Sequence, residues 1–433
     1  MANLALFGAK PVRTKLYPMH NPIGEEEKQA AIEVIESGVL SQFIGGWHPD
    51  FYGGKKVQAL ERAWAEFVGA KYAVSFNSNT SGLLAAVGAA GVGPGNEVIV
   101  PPYTMSATAT AVIGYNAVPV FADIRDDIFC LDPASVLKRI TPRTKAIIAV
   151  HLFGHPADMG PLLEIAREHS LVMIEDAAQA PGAIYKGRKV GSLGDITVFS
   201  LNFHKHIHTG EGGIATTNSD YYAERLQLIR NHGEAVVGEK GVTEIVNTFG
   251  FNLRLTEIQA AIGLAQLKKL PSLLGQRIAN ADFLSKHIDE LPGIQAPVVY
   301  HDCKHVYYVQ PFMFDEEVVG VSRDRFVEAI AAELPTAEGQ DWHLVYSGYA
   351  TPLYLQAMYQ QQIAYGTSGC PFKCPLYKGK VDYQKGLCPV TERIEKKQLI
   401  GTEFMRPPAT SADMMDVVRA FEKVYEHRGE LAQ

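Results

Sequence analysis

The chain lacks long apolar runs, has little cysteine and carries no positive excess. No stretch of about eighteen apolar residues is present to cross a bilayer. Five cysteines among 433 residues are too few and odd in number to form a disulfide framework, and they suit a reducing cytoplasm. A formal net charge of -7, with no Lys/Arg-rich tract, leaves no field for nucleic acid. The opening Met1–Gly8 is too short in its apolar run and too poor in charge for a secretory signal. No internal repeat or low-complexity tract appears. No G-x-G-x-x-G marks the first βα turn, which argues against a nicotinamide site. Cys370, Cys374 and Cys388 lie close together. Their C-x3-C spacing has no second pair, so thiols in a loop or core are favoured over a metal site.

What is present is ordinary globular material, 47% apolar and 20% charged, in a chain long enough for a large domain and a smaller one. From residue 72 onward, short apolar runs alternate with helical patterns. The runs are 72–76, 97–100, 118–122, 146–150, 171–174 and 197–200, and the helices are 81–91, 106–115 and 161–169. Continuous apolar strands separated by helices predict an α/β domain with a mainly parallel sheet covered on both faces. Ligands in such sheets bind at the carboxyl ends of the strands. An acidic start and a glycine stop predict a helix over 24–37. A helical pattern over 256–270 continues after Pro271 as a second helix, 273–291, leading to a smaller α+β domain. That domain holds a strand-like run at 306–310 and helices at 323–333 and 411–427, with long loops over 334–390. The expected division is 1–270 and 271–433.

Three segments at strand ends carry chemistry. Asp176 follows an apolar strand, with Gln179 three residues on. Such a carboxylate can hold a ring nitrogen protonated, or simply N-cap the next helix. Asn79, Thr80 and Ser81 join a strand to a helix of small residues. There, free amides and hydroxyls can cradle a phosphate, although a plain helix cap explains them as well. Lys205 lies beyond Ser200, among His204, His206 and His208 and before Gly210–Gly213. The histidines lack a carboxylate partner or an i, i+4 spacing for a metal. An amine, a carboxylate, a ring-oxygen contact and a phosphate cradle are together what pyridoxal 5′-phosphate requires of a protein.

These segments resemble the DegT/DnrJ/EryC1/StrS family of sugar aminotransferases, of the aspartate-aminotransferase fold (fold type I). The resemblance runs over nearly the whole chain. It is carried by residues 38–41, 77–81, 98–104, 119–123, 151–154 and 175–180, by Ser200…Lys205…Gly210–Gly213, and by 230–233 and 250–254. It implies a three-layer fold in which Lys205 is the Schiff-base lysine, Asp176 the pyridinium partner and Gln179 a contact to the ring hydroxyl. Thr80, Ser81 and Ser200 would hold the phosphate, and Asn252 would reach it from the second subunit of a homodimer. Two positions depart from the pattern. Asn79 stands where glycine is usual, and Met105 where an aromatic ring commonly stacks on the pyridine, which leaves Met105 or Tyr103 for that role.

The implied reaction moves an amino group from glutamate or glutamine to a keto-sugar, typically nucleotide-linked, or to a related cyclitol. Two other readings belong to the same resemblance. One is a ketosugar dehydratase with histidine in place of the lysine, which the Ser200-to-Lys205 interval disfavours. The other is a non-catalytic regulator that keeps the fold, which the complete residue set disfavours. The tyrosine-rich loops 346–349 and 354–359 could contact the substrate or could be ordinary packing.

Overall fold

The structure, a computed structural model, describes residues 2–432. The six apolar runs, joined by a seventh strand that starts at the last glycine of 210–213, form one seven-stranded sheet. Its strands are β1 (Tyr72–Phe76), β2 (Glu97–Val100), β3 (Val118–Phe121), β4 (Thr144–Val150), β5 (Val172–Asp176), β6 (Ile196–Ser200) and β7 (Gly213–Thr217). Their order across the sheet is β1-β7-β6-β5-β4-β2-β3. The five strands from β3 to β6 in that order are parallel, and β7 is antiparallel to both its neighbours. The link decides this direction. Parallel neighbours need a crossover of a dozen or more residues, usually a helix, whereas the 201–212 connection contains no helix and turns straight back. That return loop carries Lys205.

Strand alternation sorts the core into layers. Val98, Val100 and Ile148 pack with helices α3 (Asn79–Ala89) and α4 (Ala107–Gly114) on one face. Ile99, Ile147 and Ala149 pack with α5 (Met159–Glu168) on the other. Phe199 and Ile214 meet α2 (Lys55–Val68) and the first half of a long helix, α7 (Glu257–Ile288). The arrangement is the three-layer α/β fold expected. Short of the sheet, α1 (Glu25–Ser37) begins with Glu27 accepting the Gly24 N–H at 2.7 Å and ends at a left-handed Gly38. Helix α6 (Asp220–Arg230) follows β7 and rejoins the first face.

A second core surrounds a four-stranded antiparallel sheet, β8 (Ile294–Gln295), β9 (Gln310–Phe314), β11 (Leu399–Thr402) and β10 (Val345–Ser347), in that order. Helices α8 (Arg323–Glu333) and α9 (Ser411–Glu426) cover it. Leu4 and Tyr17, far away in sequence, are buried in the same core.

Two expectations require correction, and a third is extended. Pro271 does not separate two helices: α7 runs unbroken from Glu257 to Ile288 with the proline inside it, so the expected 270/271 boundary falls within one rod. The 306–310 run is not a strand, because Val306 and Tyr308 donate their N–H groups to Gly154 and Phe153 carbonyls of a turn, and β9 starts only at Gln310. The 334–390 stretch is irregular but not loose. Tyr354, Tyr359, Phe372, Tyr383 and Cys388 are buried in the first core, around Phe121. Asp123 staples its end, accepting the Val390 N–H at 2.9 Å, the Thr391 N–H at 3.0 Å and the Thr391 hydroxyl at 2.7 Å.

Candidate active site

Beyond the carboxyl ends of the parallel strands lies a cavity of about 380 Å³ that brings together Asn79, Thr80, Met105, Asp176, Gln179, Ser200 and Lys205. Its floor is the end of β5. Alternation sends Glu175 to one face, where its carboxylate accepts from His151 Nε2 at 2.9 Å, Thr197 Oγ1 at 2.6 Å and the Gly194 N–H at 2.6 Å. Burial alone would raise that carboxyl, but these donors hold it below the usual carboxylate range. His151 Nδ1 accepts the Ala157 N–H at 2.9 Å, so its proton sits on Nε2. Asp176 takes the other face and looks into the cavity. It accepts Thr108 Oγ1–H at 2.8 Å and the Ala178 N–H at 3.2 Å. Burial pushes this carboxyl up, and its two donors and the Lys205 charge pull it back only part of the way. A buried carboxylate that still lacks full compensation suits a protonated ring nitrogen.

The cradle depends on a close approach of backbone to backbone. Ser78 caps α3, accepting the Ser81 N–H at 3.1 Å and donating to the Ser81 hydroxyl at 2.9 Å. The cap reading is what these bonds show. This turn sits against Gly213, the partner of Ser200 across β6 and β7. A Cβ on Gly213 would lie 2.3 Å from the Ser78 carbonyl oxygen and 2.6 Å from the Asn79 nitrogen. Asn79, at the usual glycine position, donates its side-chain amide to the Val198 carbonyl at 3.3 Å and ties the helix start to β6. Thr80 and Ser200 face the cavity, whereas Ser81 lies behind the cap and outside the cavity wall.

Lys205 Nζ lies 4.2 Å from the centroid of the Tyr308 ring, on the cavity wall. Tyr308 is held there by the turn pairing that displaced the expected strand, with its N–H at 2.7 Å from the Phe153 carbonyl. His206 is buried with Nε2 on the Val306 carbonyl at 2.8 Å, which anchors the same segment and turns the ring away from the cavity. His204 lies at the mouth, with Nδ1 3.0 Å from Asn202 Oδ1. Among the described residues, no group of three His, Cys, Asp or Glu is placed to hold a metal.

Gln179 reaches the cavity with its amide half engaged: Oε1 accepts the Phe153 N–H at 2.6 Å and Nε2 donates to Tyr349 OH at 2.8 Å. One amide hydrogen remains for a ligand oxygen. Tyr349 lines the cavity, whereas Tyr354 and Tyr359 are core. The two tyrosine-rich loops thus divide between the two roles. Of the two stacking candidates, Met105 lies on the cavity wall and is 65% exposed. Tyr103 is fully buried, bonds Glu395 Oε2 through its hydroxyl at 2.5 Å, and meets the Tyr349 ring edge-on at 5.9 Å. It supports the wall from behind and does not face the cavity. Asn252 is exposed, bridged to Asn231, and outside this chain's own cavity. Thr108, Tyr308 and Glu211 were not singled out by the sequence. Thr108 reaches Asp176 across 68 residues, a pairing that no local spacing could signal.

The chain matches known proteins throughout. Residues 22–382 match the DegT/DnrJ/EryC1/StrS aminotransferase family. The L-glutamine:2-deoxy-scyllo-inosose aminotransferase of Micromonospora echinospora is 36% identical over 444 residues, covering 100% of each chain. GDP-perosamine synthase of Caulobacter vibrioides is 40% identical over 280 residues, 64% of this chain and 74% of that one. The crystal structure of S. venezuelae DesV superposes with a TM-score of 0.76 at 30% identity, covering 93% of this chain and 94% of that one. With the lysine, the buried carboxylate and the start of α3 on one cavity, and with this match over most of its length, the chain belongs to the DegT/DnrJ/EryC1/StrS aminotransferases, pyridoxal-phosphate-dependent enzymes of the transaminase class.

Proposed function

We propose that this enzyme transfers an amino group from glutamate or glutamine to the keto group of a sugar, typically nucleotide-linked, or of a related cyclitol. The observation that carries the reading is the sharing of one strand-end cavity by the Lys205 amine and the buried Asp176 carboxylate. The named relatives support both acceptor types: one takes 2-deoxy-scyllo-inosose as its acceptor and the other makes GDP-perosamine.

Bound pyridoxal 5′-phosphate supplies an electron-withdrawing ring and a carbonyl carbon on which nitrogen is carried between the two half-reactions. Asp176 would hold the ring nitrogen protonated, Thr80 and Ser200 the phosphate, Gln179 the ring hydroxyl, and Met105 the ring face. The Lys205 amine would remove a proton from the substrate carbon and return it on the far side of the transferred nitrogen, its tether keeping it beside both positions. The Tyr308 ring face, 4.2 Å from Nζ, packs against the amine and steadies it at the cavity wall. The enzyme acts in the cytoplasm as a homodimer, with Asn252 of the second subunit completing the phosphate site. The exposed position of Asn252, near the exposed apolar Ile245, Val246 and Phe249, supports that arrangement.

The test is spectroscopic. The cofactor-loaded protein should shift its visible absorbance band on addition of glutamate or glutamine and shift it back with a keto-sugar or keto-cyclitol. A loaded protein whose band never moves with either donor is the regulator, not the transaminase. Loss of acceptor hydroxyl without nitrogen transfer would identify the dehydratase.

A further inference from the structure

Tyr349 stands on the cavity wall with a proton whose direction its neighbours decide. Gln179 Oε1 accepts the Phe153 N–H at 2.6 Å, so the amide cannot flip without setting its NH2 against that N–H. Gln179 Nε2 is left to donate to the Tyr349 oxygen at 2.8 Å. That oxygen is therefore an acceptor on the Gln179 side, and its own O–H must donate elsewhere. Among the described residues no acceptor takes that proton. The ring itself is held firmly. The Tyr349 backbone N–H donates to Glu395 Oε2 at 2.8 Å, and the same oxygen takes the Tyr103 hydroxyl at 2.5 Å. The Tyr103 and Phe153 rings meet the Tyr349 ring edge-on at 5.9 and 5.0 Å. Glu395 is fixed in turn, because Arg323 Nη1 donates to the carbonyls of Glu395 at 2.8 Å and Leu399 at 3.0 Å. Gly348 passes so close to Glu395 that a Cβ there would lie 2.6 Å from both carboxylate oxygens.

We infer that Tyr349 sets acceptor specificity by donating its hydroxyl proton in a hydrogen bond to a ring hydroxyl of the amino acceptor. This role rests on the transaminase reading above and adds to it the group that recognises one of the two substrates. Those substrates make different demands. Glutamate and glutamine carry charged groups, for which a cation is the strong partner. A sugar or cyclitol presents uncharged hydroxyls, which a neutral O–H matches. Burial pushes the Tyr349 hydroxyl well above the ordinary tyrosine range, so it stays neutral and keeps its proton. Such a hydroxyl binds and does not transfer protons. It therefore belongs with an oxygen that remains on the ring, not with the keto oxygen that leaves as water. A site that hydrogen-bonds a substrate hydroxyl rejects analogues lacking it, because the protein's own polar group is then left unpaired.

The experiment compares the wild-type holoenzyme with Tyr349→Phe, which removes one oxygen and keeps the ring contacts. The acceptor is whichever of a keto-cyclitol and a GDP-linked keto-sugar returns the wild-type absorbance band after glutamate or glutamine has shifted it. In the variant the acceptor's KM should rise about fivefold to tenfold with kcat little changed, whereas the KM of the amino donor should rise less than about twofold. Among acceptors lacking one ring hydroxyl each, one should cost wild type about tenfold in kcat/KM and the variant less than about twofold. Calorimetric titration with the unreactive polyol, in which an alcohol replaces the ketone, should show the same loss of affinity without turnover. A donor half-reaction impaired as much as the acceptor one would make Tyr349 only a support for Gln179 and overturn the assignment. Deoxy acceptors that all cost both proteins equally, or polyol binding unchanged in the variant, would overturn it too. In each of those cases the band still moves and the transaminase reading stands; a band that never moves refutes both.

Discussion

Gly213→Ala tests whether the proposed phosphate turn is built on a backbone contact. The added carbon would sit 2.3 Å from the Ser78 oxygen, 2.4 Å from the Ser78 carbonyl carbon and 2.6 Å from the Asn79 nitrogen, where ordinary contact begins at 3.4 Å. All three atoms are backbone, so no rotamer can relieve the clash. The turn must move by about 1 Å, at a cost of about 1–3 kcal/mol. In a chain of this size the melting temperature should fall by only about 1–3 °C. The larger effect should be on binding, since α3 starts at this turn and aims its free amides. Losing one or two charge-assisted hydrogen bonds at about 1.5–3 kcal/mol each weakens phosphate binding at least tenfold. Titration of the cofactor-free protein with pyridoxamine phosphate, followed by fluorescence, and a parallel thermal melt would give both numbers. A variant that binds within twofold of wild type would refute the argument that this contact positions the cradle.

Lys205→Ala should still bind pyridoxamine phosphate but lose turnover by several orders of magnitude; retained transamination would show that another group moves the proton. Asp123→Ala leaves three donors of the 390–391 segment unpaired and should cost about 3–5 kcal/mol in urea denaturation. A loss under about 1 kcal/mol would mean that water takes its place. Burial and, for His20, the nearby Arg277 charge lower His20 to about 3, and burial lowers His155 to about 4, from 6.5. Between those values and 6.5 the unfolded chain binds more protons than the folded one. Stability should therefore be complete above pH 6.5 and decline below it, by about 1.4 kcal/mol per pH unit for each histidine. Urea titrations at pH 7, 6 and 5 would measure the slope, and a flat profile would contradict it.

The parallel strands were readable because each is a largely apolar run, and a buried parallel sheet leaves that mark along the chain. Asp176 and Lys205 were readable for a related reason: both stand just past such runs, where the fold must place its ligand. Tyr308 was not, because its segment has the composition of a strand. Only the unforeseen pairing of 306 and 308 with the 153–154 turn makes it part of the wall. Tyr103 shows the converse difficulty. Its place two residues from Met105 offers it as the stacking ring, but Glu395, 292 residues later, draws its hydroxyl to the other side. Pro271 reads as a helix stop, but packing along both halves of α7 outweighs the one hydrogen bond the ring removes.

That helix has a consequence for how the protein comes apart. Its first half packs in the core beside the large sheet and its second half in the core of the small one, with the buried Arg277 between. The N-terminal residues Leu4 and Tyr17 and the returning 353–388 stretch cross in opposite directions. No single cut of the chain frees an intact lobe, because each lobe contains pieces from both ends of the sequence. Heating should therefore give one calorimetric transition with equal calorimetric and van't Hoff enthalpies. Proteolytic nicking should destroy both lobes at once and not release either as a folded fragment.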